Sequence, residues 1–182
     1  MEFDIWVDAD SLPKNLRPIV LNAAARLGCK CTFVADRTLK DVTQFISDDT
    51  FNLRQKAREI GQSDESAIKA IKSKISMVIV NSGENSADDY IVEKASAPCL
   101  CITHDIPLAA RLLEKKCIVL DDRGHEYSDS DIKVRLTDRL VNQELRSWGV
   151  FADQQAKMGN DNKKAFSDAF DRTITRMCKG GK

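Results

Sequence analysis

With 182 residues, 42% of them apolar, the chain suits one domain with a sizeable core. Its 28 Lys and Arg balance 28 Asp and Glu, so no global basic field marks a nucleic-acid binder, although a local patch stays open. No apolar run approaches the roughly 18 residues of a membrane helix. The acidic start "MEFD" lacks a signal-peptide pattern, so a cytoplasmic protein that touches no membrane is expected.

The first strand is expected over residues 3–8, in "FDIWVDADSLPKN", where Phe3, Ile5 and Val7 are strand formers. It ends in Asp8 and Asp10, a like-charge pair that costs energy unless a cation, a partner or a task holds it there. Asn15 is placed to cap a helix running to Leu27, with Pro18 in its first turn and Gly28 closing it. A second strand is expected over 30–35. Residues 47–75 are charged and helical in pattern, with a break at Gly61, and read as a helical insertion.

Further strands are expected at 77–81, 98–103 and 117–120, short and rich in Val, Ile and Cys as strands buried on both faces should be. Between them, Ser86 is placed to cap a helix over 87–95, and "THDIPLAARLLEKK" reads as strand end, turn and helix with Pro107 near its start. "SDSDIKVRLTDRLVNQELRSWG" reads as a longer helix closed by Gly149. Residues 152–162 look like a linker. A last helix carries Phe166, Phe170, Ile174 and Met177 on one stripe. Residues 157–182 hold seven basic and three acidic side chains, either a solvated face or a track for a nucleic-acid backbone. The organisation expected is an α/β domain over 1–150, with a linker and amphipathic helix over 151–182.

The six cysteines, Cys29, Cys31, Cys99, Cys101, Cys117 and Cys178, contain no C-x-x-C pair. Buried free thiols are the first reading and a zinc site the second. Trp6 and Trp148 read as core residues.

Alternation of strands and helices implies a mostly parallel sheet of about five strands flanked by helices, with ligands bound beyond the carboxyl ends of the strands. Four loops then bring carboxylates to one edge: Asp8 and Asp10, Asp88 and Asp89, Asp105, and Asp121 with Asp122. Any one of them has an innocent place at a helix N-terminus. Together, and without His or Cys among them, they suit Mg²⁺ or Mn²⁺. Such a cation stabilises charge on a phosphoryl oxygen and lowers the pKa of a bound water, which points to phosphoryl or phosphodiester chemistry. Two arrangements begin with such a pair. One is the haloacid-dehalogenase-like phosphatase, with Asp8 as nucleophile. The other is the PIN-like nuclease, whose T-x-D is met by Thr103-His104-Asp105.

The ordered set "VDADSLP", "SADDYIV", "THDIPLAARLLEK", "DDRGHEYS" and "LTDRL" resembles the YaiI/YqxD family of uncharacterised bacterial proteins. The resemblance implies a three-layer PIN-like domain and a divalent-metal-dependent nuclease acting on RNA before DNA. In that reading Asp8, Asp88 and Asp105 hold the metal, Asp10 supports it, and Thr103 orients a ligand or water. Arg123 and His125 are placed to meet the substrate, Arg123 through its planar fork; an ordinary surface turn is the plainer reading of both. The chain departs from the family pattern at His104, where a small residue is common, and at Asp121-Asp122, where Asn-Pro is usual. Residues 47–75 read as longer than the family norm. A phosphatase, or a non-catalytic RNA- or protein-binding module, remains the alternative.

Overall fold

The computed structural model describes residues 3–81, 83, 86–135, 137 and 160–180. Five strands form one sheet: β1 (Asp4–Asp8), β2 (Cys31–Ala35), β3 (Ile75–Ile79), β4 (Cys99–Ile102) and β5 (Ile118–Leu120). Their order is β3-β2-β1-β4-β5, and every pairing between them is parallel. The helices are α1 (Arg17–Leu27), α2 (Lys40–Glu59), α3 (Glu65–Ala70), α4 (Ser86–Lys94), α5 (Ile106–Glu114) and α6 (Asn160–Cys178).

The three layers follow from the alternation of side chains along each strand. Ile5, Val7, Phe33, Leu100 and Ile102 face one way and join a core with residues of α1, α2 and α6. Trp6, Val34, Cys99, Cys101 and Val119 face the other way, against α4 and α5. Both faces of the inner strands are therefore dry, which is why the runs "CTFVA" and "CLCI" carry so little polarity. This is an α/β fold with a central parallel sheet flanked by helices, consistent with the three-layer domain expected.

Local signals explain most of the helix ends. Gly28 closes α1 in the left-handed conformation (φ 61°) and returns its N–H to the Ala25 carbonyl, as its position predicts. Asn15 does not cap α1. Leu16 occupies that position with no side-chain bond, and Pro18 sits within the first turn. Ser86 is the first residue of α4 rather than the residue before it. β3 begins two residues earlier than expected because Ile75 pairs with Cys31, so Val80 and Asn81 run past the sheet edge.

Two segments show how the expected helices pack. α2 begins at Lys40, well before residue 47, and lays the fully buried Val42 on the sheet core. Ile68 of α3 is fully buried too, and Arg54 ties the two helices by donating to the Ile71 and Lys69 carbonyls. Within residues 47–75 Ala57, Ile68 and Ile75 are buried, while most of the other side chains are exposed. The terminal helix docks through its apolar stripe: Phe166 and Phe170 are completely buried, and with Ile174 and Met177 they join the core around Ile5, Leu100 and Leu120. Glu126, just past β5, clasps this helix through Arg176 at 2.7 Å and Thr173 at 3.2 Å. The expected helix up to Gly149 is seen only at its start, where residues 129–135 are helical. The rest of it, Trp148 and most of the expected linker lie outside the described residues.

Candidate functional site

The strand order has a switch point. From β1 the chain winds outward through β2 to β3, then crosses back to lay β4 on the other side of β1. Helices leave β1 and β4 in opposite senses, and a crevice opens between them at the carboxyl edge. Asp8 is the last residue of β1, and Thr103 and Asp105 follow β4, so both sides of that crevice end in the predicted residues.

Asp8 is only 5% exposed. Its carboxylate accepts from the Thr103 hydroxyl at 2.8 Å and from the Ser11 backbone N–H at 3.3 Å. Burial raises its pKa above the usual 3.8, those hydrogen bonds pull it back, and the charge of Asp10 adds to the rise. The Thr103 oxygen also accepts from the Asp105 N–H at 3.0 Å and from the Ser11 hydroxyl at 3.3 Å. One buried hydroxyl therefore fixes Asp8, Asp105 and Ser11 relative to one another. Its proton is committed to Asp8 and the residue is 1% exposed, so Thr103 positions the acids at the base of the crevice.

Asp105 caps α5, its Oδ1 accepting from Leu108 N–H at 2.9 Å. Asp88 stands in the first turn of α4. Its pKa is pushed up to about 6, first by burial, then by the charges of Asp8 and Asp105, with Arg111 opposing and Asp89 adding. Arg111 itself is paired with Asp89 at 2.8 Å. Asp10 lies on the rim, accepting from Asp36 N–H at 3.2 Å and pairing with Arg37 at 3.0 Å. The turn between β1 and α1 is anchored from below by Arg17, a buried guanidinium that donates to the Ala9 carbonyl and to both oxygens of Asp41, each at 3.2 Å.

These residues surround one open cleft of about 340 Å³, lined among others by Asp8, Asp10, Asp36, Asp88, His104 and Asp105. Asp36, Ser11 and His104 were missed by the reading of the sequence. Asp36 carried the same signal as the rest, a carboxylate directly after a strand ("CTFVAD"). The oxygens do not crowd as tightly as ligands around a fully stripped ion. Among the described residues only three cysteines, none of which lines this cleft, place their ligand atoms within 4.8 Å of one another.

Arg123 and His125 do not join the cleft lining. Their loop is folded onto its own strand end: the buried Asp121 accepts from Arg123 N–H at 2.9 Å and His125 N–H at 2.7 Å. The His125 ring meets Tyr127 edge-on at 5.3 Å and stands 3.6 Å from the Asp131 carboxylate. Arg123 is exposed. Asp121 is thereby a loop staple, which explains a carboxylate at that position without a ligand.

Comparison with known proteins gives a consistent result. The model of the "Uncharacterized BCR, YaiI/YqxD family" matches residues 62–176. A UPF0178 protein of Trichlorobacter lovleyi is 34% identical over 178 residues, 98% of this chain and 97% of that protein. A UPF0178 protein of Citrifermentans bemidjiense is 34% identical over 175 residues, 96% of each chain. One from Pseudomonas entomophila is 31% identical over 176 residues, 97% of this chain and 99% of the other.

Proposed function

On the premise that this chain belongs to the uncharacterised YaiI/YqxD family, we propose that it is a divalent-cation-dependent nuclease, acting on RNA before DNA. The observation that carries the reading is the mutual repulsion of Asp8, Asp88 and Asp105 at one crevice, strong enough with burial to hold Asp88 at about 6. Three acids from three different elements are kept together at a cost, and a cation of +2 charge would remove it.

The donor set fits Mg²⁺ or Mn²⁺: all oxygen, without imidazole or thiolate except for His104 on the lining. The spacing of the carboxylates fits an ion that keeps some of its waters, as Mg²⁺ does. Such an ion supplies charge stabilisation at a phosphoryl oxygen and a lowered pKa for water. The chain's own part is preorganisation. Thr103 and Ser11 hold Asp8, the start of α5 holds Asp105, and Asp88 faces both from α4. Arg37, exposed and already paired with Asp10 and Asp36, is the cation on the rim that suits a phosphate. Five buried free thiols suit a reducing compartment, in keeping with a cytoplasmic protein.

The burial and double hydrogen bonding of Asp8 speak against the phosphatase alternative, in which it must be an open nucleophile. The test is a panel of single-stranded and structured RNA and DNA with Mg²⁺, Mn²⁺ or EDTA, beside an Asp8→Asn protein. We expect metal-dependent cleavage by the wild type, and background rates for the variant with its fold intact. Turnover of phosphomonoesters alone, or binding of RNA with no cleavage in either metal, would overturn the nuclease reading.

A further inference from the structure

Away from the cleft lining, β4 and the start of β5 hold a second cluster. Cys99 and Cys101 lie two residues apart on β4 and so share a face, the one packed against α4 and α5. Cys117 is the residue before β5, and the register that pairs Leu100 with Ile118 sets it beside Cys99. The Sγ atoms of Cys99 and Cys101 are 3.9 Å apart, and all three sulfurs lie within 4.8 Å of one another. All three residues are buried, among Trp6, Ala95, Leu108 and Leu112.

We propose that Cys99, Cys101 and Cys117 form a trithiolate site for a soft monovalent cation of the Cu(I) class. A triangle of sulfurs with edges of 3.9 Å has its centre about 2.3 Å from each corner, the length of a metal–thiolate bond. The wider sides close to that size by small rotations of the cysteine side chains. Three sulfurs in an apolar wall select a thiophilic ion. Zinc in a closed site takes four ligands, and among the described residues no fourth His, Cys, Asp or Glu joins the group. An ion content with three sulfurs fits what is present.

Binding would displace the thiol protons to solvent, leaving thiolates on the metal. Lys115, two residues before Cys117, lies close enough to act on its charge and offsets part of the negative excess. The way in is short. β5 is an edge strand of three residues, and the turn leading to it carries Lys116 in the left-handed conformation at φ 62°. Local opening of an edge this small exposes Cys117 without unfolding the sheet.

The experiment uses the whole chain, reduced and anaerobic, given Cu(I) in competition with a chromogenic Cu(I) chelator and then alkylated with iodoacetamide. Mass spectrometry reads each cysteine-containing peptide. We expect one copper retained per chain and alkylation of Cys99, Cys101 and Cys117 slowed about tenfold or more, because the metal holds the closed state. The exposed Cys178 should alkylate at an unchanged rate. Cys101→Ala should release the copper to the chelator, and Cys178→Ala should not. Copper that stays with the chelator, or that protects Cys29, Cys31 or Cys178 instead, overturns the proposal. The wild-type alkylation pattern decides the matter even where Cys101→Ala fails to fold.

Discussion

Replacing Asp88 by Asn should make the metal-free protein more stable, and only at neutral to alkaline pH. The Asp88 carboxyl is raised from 3.8 to about 6 in the folded chain, by burial and then by Asp8 and Asp105. The folded state therefore holds this proton more tightly than the unfolded state. Its contribution is fully present below 3.8, declines as pH rises, and is lost above about 6. The full shift corresponds to about 3 kcal/mol. Asp88 is only half-buried, so solvent screening reduces this to about 1.5 kcal/mol. For a chain of this length that is about 4 °C in Tm. Asn keeps the shape and never ionises. In EDTA at about pH 8, Asp88→Asn should melt about 4 °C above the wild type by far-UV circular dichroism. At about pH 4 the two should melt together, because the wild-type carboxyl is then largely protonated in the fold. Adding Mg²⁺ should raise the wild type and narrow or reverse the gap, since the ion binds the folded state through the same charge. A gain of equal size at both pH values, or a loss at the higher one, would refute the idea that Asp88 carries repulsion from its neighbours.

Two predictions concern the frame around the site. Gly124 has φ 84°, and a Cβ there would stand 2.5 Å from the Ala165 carbonyl oxygen on α6. Gly124→Ala should cost more than about 2 kcal/mol, since both the backbone and the contact are strained, and a urea midpoint equal to the wild type would mean the loop does not rest on that helix. Phe170→Ala should cost about 3 to 5 kcal/mol through the cavity it leaves; a loss below about 1 kcal/mol in the same urea titration would show that α6 is not part of the core.

Much of this protein was legible before any fold was known. The five strands stand out because a parallel strand buried on both faces must be nearly free of polarity, and such runs are local. The stripe Phe166, Phe170, Ile174, Met177 was legible for the same reason: a helix that packs repeats its apolar residues with the helical period. The carboxylates at the strand ends could be named because a sheet of parallel strands has one carboxyl edge. What local pattern cannot carry is which strand lies beside which. The placement of β4 against β1 is a pairing between residues nearly a hundred positions apart, and it alone brings the Thr103 hydroxyl onto Asp8. The pairing of β2 with β1 sets Asp36 on the cleft, and the place of β5 at the outer edge leaves Arg123 and His125 off it, although all three follow strand ends. A different long-range pairing decided the fate of the cysteines. C-x-C on one strand predicts two thiols on one face, but the third sulfur arrives only through the register of β5 on β4. Strand propensity and periodicity are properties of a few neighbouring residues, whereas sheet order and register are set by which distant surfaces bury each other best, and the chemistry of both clusters depends on the latter.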